Sequence, residues 1–221
     1  MDNIEIARQS FLTCTSLFSI LPREEIWIMS QSNNSETRCW VAKALSMDIE
    51  RMDACEILCF LSKDSDALVR VEAVDSLSNY VQHDAYQCLL SAAYDPDELV
   101  RAYAAYGIAC ISSRVSFSDA HFFLHEMLAR ENCDRARVGI LEALYIIGED
   151  DYLLDMLRTF KSDDHLVRCS VIHALCEIAN CTNYTVLSPF VENIDLERES
   201  PAVKSAIEQL LGVLTDLADE R

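Results

Sequence analysis

Apolar residues recur at steps of three and four through most of the chain, and residues 64–77 (DSDALVRVEAVDSL) show the pattern most clearly. Val69, Ala73 and Leu77 lie four residues apart, so in a helix they share one face. An acidic segment precedes them, and a basic residue lies just after the predicted helix start. Residues 95–108 (DPDELVRAYAAYGI) repeat the pattern. It predicts amphipathic helices that each follow a short acidic loop.

Alignment on the basic residue near each helix start gives six copies of the pattern, spaced 31 to 36 residues apart. Three columns, at one position before and three and seven positions after this residue, are apolar almost throughout. The column six positions after it is small in five of the six copies, which predicts close approach between helices. A repeat of this length with two helical segments per copy is typical of stacked helical hairpins. The six basic residues are Arg38, Arg70, Arg101, Arg137, Arg168 and Lys204.

The predicted fold is all-α: a right-handed α–α superhelix, or solenoid, of about six hairpins in a single domain over residues 1–221. Only four glycines and four prolines occur in the chain, which favours helices over turn-rich β structure. Residues 1–30 are predicted to form N-terminal capping helices, at 4–20 and 24–29. First helices are predicted at 52–61, 85–94, 117–130, 151–160 and 184–194. Second helices are predicted near 35–47, 66–80, 97–111, 134–147, 164–179 and 200–218.

Polar residues at the predicted helix starts supply capping chemistry. Asp95 followed by Pro96 predicts a capping carboxylate before a proline in the first helical position. Glu98, three residues after Asp95, has the spacing of a capping box. The pair Ser200–Pro201 repeats the arrangement. The extra residues of the two longest spacings lie at 112–116 and 180–183, where polar residues predict loops.

The second helices resemble HEAT repeats, because an aspartate is followed five and six residues later by a Val–Arg pair. Asp64 precedes Val69–Arg70 in this way, and Asp95 precedes Val100–Arg101. The resemblance covers residues 31–214 and implies a hydrogen-bonded ladder of aspartate and arginine between adjacent repeats. The other copies depart from the motif, so the ladder is expected in the middle rather than at the ends. The predicted ladder residues are Asp64, Arg70, Asp95, Arg101, Arg137 and Arg168.

The net charge of −19 narrows the classes of partner. Binding to nucleic acid or to an anionic membrane requires a surplus of lysine and arginine. A strongly acidic protein instead attracts basic proteins and accelerates encounter with them. The alternative is that the charge serves solubility alone.

The ten cysteines lie mostly inside apolar helical runs, where a free thiol acts as a small hydrophobic side chain. Cys55 and Cys59 have helical spacing, and core packing is the favoured interpretation of the pair. The N-terminus lacks the pattern of a secretory signal peptide, and the charge-free stretch near it is too short and polar to span a bilayer. We therefore expect a soluble protein of the reducing cytoplasm, without disulfides.

Few residues have the spacing of a chemical site. His121 and His125 lie four residues apart on a predicted helix, so both are weak candidates for metal ligands, although a third ligand is not evident. The alternative is two ordinary histidines beside an apolar helix face. Two aspartate pairs, at 150–151 and 163–164, are better explained by helix capping than by acid–base catalysis. Without a glycine-rich phosphate loop or a nucleophile elbow, we expect no cofactor, no catalytic residue and no enzymatic activity.

Two columns of the repeat, two and five positions after the basic residue, depart from the apolar rule. They share the face of the second helix opposite the core, which the resemblance to HEAT repeats places on the concave side of the array. Exposed aromatic residues beside acids are typical of an interface, and the alternative is an ordinary solvated face. The predicted protein-binding surface comprises Trp40, Lys43, Glu72, Asp75, Tyr103, Tyr106, Glu142, Tyr145, His173 and Glu177.

The favoured hypothesis is a non-enzymatic protein-binding module with an acidic concave face. A concrete version is an immunity or antitoxin-type protein that neutralises a basic toxin such as a nuclease, since some bacterial immunity proteins are similar helical-repeat proteins. One alternative is a scaffold or regulatory adaptor subunit of a larger complex. A further alternative from the same resemblance is an enzyme, a HEAT-like lyase or DNA glycosylase, although such glycosylases are basic DNA binders.

Overall fold

A computed structural model describes residues 21–51, 53–115 and 119–219, and all regular structure within these ranges is helical. The described residues form twelve α-helices and one short 3-10 helix, Leu196–Arg198. The predicted fold class, all-α with about six HEAT-like helical hairpins, is confirmed. The helices are α1 Arg23–Ser30, α2 Ser35–Leu45, α3 Ala54–Leu61, α4 Ala67–Leu77, α5 His83–Ala92, α6 Glu98–Arg114, α7 Ala120–Arg130, α8 Asp134–Ile146, α9 Asp151–Thr159, α10 His165–Ile178, α11 Tyr184–Glu192 and α12 Pro201–Asp219.

The helix boundaries differ from prediction in one informative place. Helix α6 continues to Arg114, so the loop predicted to begin at residue 112 was wrong. Apolar residues such as Ile108 and Ile111 are fully buried along α6, and their burial extends the helix through two serines. The predicted helix at residues 4–20 lies outside the described residues, as does the start of the predicted helix at 117–130.

The chain divides into two compact units, residues 1–120 and 121–221. In the first unit the second helices α2, α4 and α6 lie side by side, and the first helices α1, α3 and α5 pack against them as another layer. In the second unit α8, α10 and α12 lie side by side, with α9 packed on α8 and α10 and with α11 packed on α12. No helix of the described residues is both long enough and apolar enough to cross a membrane.

The apolar columns of the repeat form the core. Val69, Ala73 and Leu77 are fully buried in α4, and the equivalent residues of α6 are buried as well. The sixth copy is an exception, because Leu211 is 39% exposed while Leu210 and Leu214 are buried. The prediction of Leu211 as a core residue, seven positions after Lys204, was therefore wrong. Val203 and Ile207 are buried as predicted, but the buried face of α12 then steps three residues to Leu210 rather than four to Leu211.

Side-chain caps begin the second helices except α8, whose N-cap residue Cys133 makes no capping hydrogen bond. Asp66 accepts a hydrogen bond from the Leu68 amide, and Asp97 accepts from the amides of Leu99 and Val100. The prediction that Asp95 caps α6 was wrong, because the helix begins after Asp97 and the Asp95 carboxylate accepts hydrogen bonds from Arg70 of α4. The predicted arrangement of a capping residue followed by proline is present at α12, where the Ser200 hydroxyl oxygen accepts a hydrogen bond from the Val203 amide and Pro201 is the first helical residue. The equivalent caps of α2 and α10 are Asn34 and Asp164.

Small residues lie where neighbouring helices approach most closely. The hydroxyl of Ser76 in α4 donates to the Ala42 carbonyl oxygen of α2 at 3.0 Å. In α6, Gly107 faces Leu89 of α5 so closely that a β-carbon placed there would lie 2.9 Å from both terminal methyl carbons of the leucine. The small column of the repeat thus has a packing function in at least these two hairpins.

Candidate functional site

Arginines of the second helices join adjacent hairpins through buried carboxylates. In the first unit, Arg38 donates to both carboxylate oxygens of Asp64 at 2.6 and 2.7 Å. Arg70 binds Asp95 in the same two-pronged geometry, with both distances at 2.8 Å. These four side chains are nearly buried, and paired hydrogen bonds between a planar guanidinium and a carboxylate fix both partners. The two pairs tie the loops of three successive hairpins together.

Each of these arginines also stabilises its own loop. In five copies of the repeat, the Nη1 group of the arginine donates to a carbonyl oxygen six residues earlier in the chain. The distances lie between 2.6 and 3.2 Å. The arginine is therefore needed within a hairpin as well as between hairpins. The arginine–carbonyl pairs are Arg38–Ser32, Arg70–Asp64, Arg101–Asp95, Arg137–Glu131 and Arg168–Ser162.

The expectation that the ladder is limited to the middle of the chain was wrong. Arg38, in the first copy, is fully engaged. Near the other end, Arg168 donates to Glu199 at 2.9 Å, although Arg198 stands six residues before Lys204, where the motif has its aspartate. Arg198 instead binds Asp195 at the surface. A glutamate one residue out of register replaces the aspartate, because its longer side chain can reach the arginine from that position.

The electrostatics of Asp64 lead to a pH prediction. Burial alone would raise the pKa of Asp64, but hydrogen bonds from Arg38 and from the Asp66 amide, together with the Arg38 charge, lower this pKa below its ordinary value. The folded state therefore prefers the charged carboxylate of Asp64, and this preference stabilises the fold. The contribution is complete above the pKa of an ordinary carboxyl group, and it is lost as the pH falls through the lowered pKa of Asp64 in the folded state. We expect Asp64→Asn to cost about 1–2 kcal/mol near pH 7, since asparagine keeps an acceptor but not the charge.

The measurement is urea unfolding of both proteins between pH 7 and pH 2. The difference in unfolding free energy between wild type and Asp64→Asn should stay constant down to about pH 5 and shrink below about pH 3. A difference that grows on acidification would contradict the assignment of Asp64 as the charged partner of Arg38.

Six of the ten predicted protein-binding residues lie in the first unit, on the side-by-side helices α2, α4 and α6. Tyr103 is 38% exposed, and the other five are partly exposed. Since the three helices run next to one another, these side chains form a strip across the second-helix layer. We call this strip the α2–α4–α6 face. Its members are Trp40, Lys43, Glu72, Asp75, Tyr103 and Tyr106.

The α2–α4–α6 face is acidic but partly neutralised. Lys43 of α2 binds Glu72 of α4 at 3.2 Å, and the Trp40 indole nitrogen donates to Glu36 at 3.4 Å. With Asp75, the face carries two carboxylates against one ammonium group, and the carboxylate of Glu36 lies beside the tryptophan. The contacts hold the tryptophan and the lysine in place, which lowers the entropy cost of presenting them to a partner.

Two exposed apolar residues, one on α4 and one just after α2, were not predicted from sequence. Leu68, four residues before Glu72 on α4, is 65% exposed, and Met47, just after α2, is 58% exposed. Large exposed apolar side chains next to aromatic residues are typical of interaction surfaces. The helical spacing of Leu68 from Glu72 was a signal for it, but a leucine in a core-rich helix is ordinarily assigned to the core.

The other four predicted residues lie in the second unit and are less suited to binding. Glu142 is buried, so its prediction as an exposed acid was wrong; it lies among the tightly packed residues of α8. Tyr145 is partly buried, and its hydroxyl oxygen accepts a hydrogen bond from the Asn183 amide at 3.0 Å. His173 and Glu177 are exposed on α10. In this unit the predicted surface is thus reduced to two exposed side chains.

His121 and His125 do face the same side, and a carboxylate lies between them. His121 Nδ1 and His125 Nε2 each lie 2.9 Å from the same oxygen of Glu149. Burial alone would raise the pKa of Glu149, but hydrogen bonds from the two histidines outweigh it and lower this pKa. Among the described residues, no three His, Cys, Asp or Glu side chains are arranged to hold a metal ion. Glu149 is a partner for both histidines that sequence spacing did not indicate.

A groove of about 540 Å³ lies in the second unit, between the end of α9, the end of α11 and the residues that flank the 3-10 helix. Two phenylalanine rings meet edge to face in its wall, with centroids 5.4 Å apart. The ion pairs Arg168–Glu199 and Arg198–Asp195 lie on its rim. Since these cations already have acidic partners, the apolar wall is the part of the groove left for contact. The lining includes Leu157, Phe160, Lys161, Phe190 and Ile194.

Comparison with known proteins supports the repeat assignment. Residues 25–109 match the family model of HEAT repeats, and the predicted resemblance is thereby confirmed for the residues it shares with this range. Among curated proteins no sequence matches the chain. A solved structure of the complex of CpcE and CpcF of phycocyanin lyase from Nostoc sp. PCC7120 is similar at 14% identity and a TM-score of 0.46, covering 87% of this chain and 95% of that one. An engineered protein is similar at 17% identity and a TM-score of 0.42, with coverages of 87% and 96%.

Proposed function

We propose that this chain, whose residues 25–109 are HEAT repeats, is a non-enzymatic protein-binding module that captures a basic partner on the α2–α4–α6 face. HEAT repeats suggest protein interaction or scaffolding as the general function, because arrays of stacked hairpins present extended surfaces rather than enclosed pockets. The observation that carries the proposal is the combination of aromatic and acidic side chains on that face.

The chemistry of the face matches a partner rich in lysine and arginine. Trp40, Tyr103 and Tyr106 offer large, rigid aromatic surfaces, which dominate the binding energy of many interfaces and also attract cations. The carboxylates of Glu72 and Asp75 lie between the aromatic residues of α2 and those of α6. The net charge of −19 adds a long-range attraction for a basic protein.

A charge reversal on this face tests the proposal. We expect Glu72→Lys with Asp75→Lys to weaken binding of the basic partner roughly tenfold or more, since two attractive contacts become repulsive. The same complex should weaken between 0.1 and 1 M salt, as the screening length falls from about 10 Å to about 3 Å. Both effects are measured by surface plasmon resonance with the partner recovered on the immobilised wild-type chain.

Glu208→Lys with Asp216→Lys is the matched control, because both residues are exposed on α12 and change the net charge equally. If the control weakens binding as much as the reversal on the face, only net charge matters and the α2–α4–α6 face is not the binding surface. A complex unaffected by both changes and by salt would contradict a charge-led partner.

The finer hypothesis is that the basic partner is a toxin domain, such as a nuclease, and that the chain acts as its immunity protein or antitoxin. A cationic domain that acts on nucleic acid must carry a basic active surface, and an acidic protein neutralises it by covering that surface. The recovered partner should inhibit growth when expressed alone, and co-expression of this chain should restore growth. A partner that is harmless alone would exclude the toxin version while leaving protein binding intact.

A scaffold or adaptor subunit is the second candidate, and an apolar patch on the first helices of the first unit favours it. Ile28 is strongly exposed on α1 and Phe60 is exposed on α3, where the Phe60 ring lies 5.0 Å from the Trp27 ring. A contact through this patch would be insensitive to salt. Phe60→Ser, which leaves the α2–α4–α6 face intact, should then weaken assembly more than the charge reversal does.

A further inference from the structure

Three cysteines come together between the first helices α3 and α5 of the first unit. Cys55 and Cys59 lie one turn apart on α3, and the Cys59 thiol interacts with the thiol of Cys55 and with that of Cys88 on α5. The Cys59 thiol also approaches the Asp84 carbonyl oxygen, one turn before Cys88, at 3.7 Å. Two helices that are distant in sequence thus place a thiol of one against a thiol of the other.

The three thiols differ in access to solvent. Cys55 is buried, whereas Cys59 and Cys88 are partly exposed. The Cys59–Cys88 contact is therefore open to a small oxidant from solution, while Cys55 lies beneath it. Because the cluster belongs to the first-helix layer, it is separate from the residues of the α2–α4–α6 face.

The polar surroundings of Cys88 also set it apart from the other half-buried cysteines. The hydrogen bond from Cys59, assisted by the charge of Lys63 and by Ser62, lowers the pKa of the Cys88 thiol to about 7. Burial instead raises the pKa of Cys39 to about 11. The pKa of Cys59 is raised, since this thiol serves as the donor. The single proton of the Cys59 thiol can stabilise either the Cys55 thiolate or the Cys88 thiolate at one time. The positive charge of Lys63 favours the Cys88 thiolate.

We propose that Cys88 and Cys59 form a peroxide-reactive thiol pair, in which Cys88 is the attacking thiolate and Cys59 is the resolving thiol that closes a disulfide between α5 and α3. The oxidant is hydrogen peroxide or an organic hydroperoxide. The inference does not depend on the proposed protein partner, because the thiols lie on a different layer of the unit.

The reaction balances in two steps. The Cys88 thiolate attacks the terminal peroxide oxygen and the O–O bond breaks. The sulfur becomes a sulfenic acid as hydroxide leaves from hydrogen peroxide, or an alkoxide from an organic hydroperoxide. The Cys59 thiol sulfur then attacks the Cys88 sulfur, the S–O bond breaks, and the departing hydroxide takes the Cys59 proton to form water. Two thiols have lost two electrons and the peroxide has gained them, and a dithiol reductant reverses the change by exchange.

The first test uses the full wild-type chain treated with hydrogen peroxide, blocked with N-ethylmaleimide and digested with trypsin. Cys55 and Cys59 lie in the tryptic peptide 52–63, and Cys88 lies in the peptide 71–101. We expect a disulfide between these two peptides that dithiothreitol removes, with the maleimide label on Cys55. Oxidation should also raise the melting temperature of the first unit, because a cross-link restricts its unfolded chain.

Three serine variants assign the roles. Cys88→Ser should abolish the cross-link, and Cys59→Ser should abolish it while leaving a Cys88 sulfenic acid that dimedone traps. Cys55→Ser is the matched control and should cross-link like the wild type. Circular dichroism establishes that each variant is folded, and Cys→Ala replaces any serine variant that is not.

The proposal is overturned by any of three results. One is the absence of the 52–63 to 71–101 cross-link in the oxidised wild-type chain, a result that depends on no variant. Another is a cross-link that persists in Cys59→Ser, which would mean that Cys55 reacts instead. The third is oxidation of the exposed Cys181 before Cys88, which would mean that exposure alone governs reactivity.

Discussion

Replacing Arg70 with alanine is expected to lower the free energy of unfolding of the first unit by about 4 kcal/mol, because it leaves the Asp95 carboxylate charged and nearly buried. The change removes both bonds to Asp95 at 2.8 Å and the bond to the Asp64 carbonyl at 3.0 Å. The pair is also the link between the loops of the second and third hairpins. Urea unfolding followed by tryptophan fluorescence measures the effect.

The fluorescence signal is specific for this purpose, because both tryptophans of the chain, Trp27 and Trp40, lie in the first unit. Arg23→Ala is the control: its ion pair with Glu56 is exposed on both sides, and exposed pairs contribute less than about 1 kcal/mol. If Arg70→Ala costs no more than this control, the ladder does not stabilise the fold. A double change with Asp95→Ala should recover part of the loss, since it removes the unpaired charge.

Replacing Gly107 with valine is expected to destabilise the first unit by about 3 kcal/mol through overpacking. The new β-carbon would lie 2.9 Å from two methyl carbons of Leu89, whose side chain is fully buried. Leucine cannot swing into solvent from that position, so α5 and α6 must separate. The measurement is again the urea midpoint of the first unit.

Gly212→Ala is the matched control for the intrinsic preference of a helix for alanine. Gly212 is exposed within α12, and nothing lies within 4 Å of its added β-carbon. This change should stabilise the second unit by about 0.5–1 kcal/mol. Urea unfolding followed by circular dichroism measures it, because both tryptophans lie in the first unit. A Gly107→Val variant that is as stable as wild type would show that the α5–α6 contact is loose. If the contact is tight, adding Leu89→Ala to the Gly107→Val variant should restore part of the lost stability.

The periodicity of the chain was enough to predict the hairpins. Helical spacing predicts burial whenever a residue type repeats on one face, and Val69, Ala73 and Leu77 lie fully buried as a result. The prediction was wrong where a copy departs from the common register. In α12 the buried face passes from Ile207 to Leu210 by a step of three, so the common step of four assigned Leu211 to the core instead.

The candidate binding surface could be predicted only in part. Spacing correctly grouped Glu72 with Asp75 on one side of α4, because this relation is local to a helix. Whether a side chain on that side is exposed depends on what the neighbouring helices place over it. Glu142 occupies the equivalent position in α8 and is buried, whereas Leu68 is exposed although a leucine in a helix of this kind is ordinarily assigned to the core.

Contacts between hairpins could be predicted only in part: the resemblance to HEAT repeats indicated ladder residues such as Arg70 and Asp95, but other contacts were beyond the sequence pattern. The acidic ligand of Arg168 is Glu199, one residue away from the expected register, and side-chain length decides whether such an offset is tolerated. The cysteine cluster is a stronger case. Cys55 and Cys59 by themselves indicate core packing, and only the contact of α3 with α5 brings Cys88 to the same thiol.

The sequence by itself determined the elements: helices, their pairing into hairpins, the repeat spacing and the acidic character of the chain. These properties follow from interactions between residues three or four positions apart and from composition, both of which are visible in a linear chain. The tertiary structure alone decided which carboxylate pairs with which arginine, which acids of the second helices remain exposed and which thiols meet. Those outcomes depend on distances between segments about 30 residues apart, set by how closely side chains such as Gly107 and Leu89 allow their helices to pack.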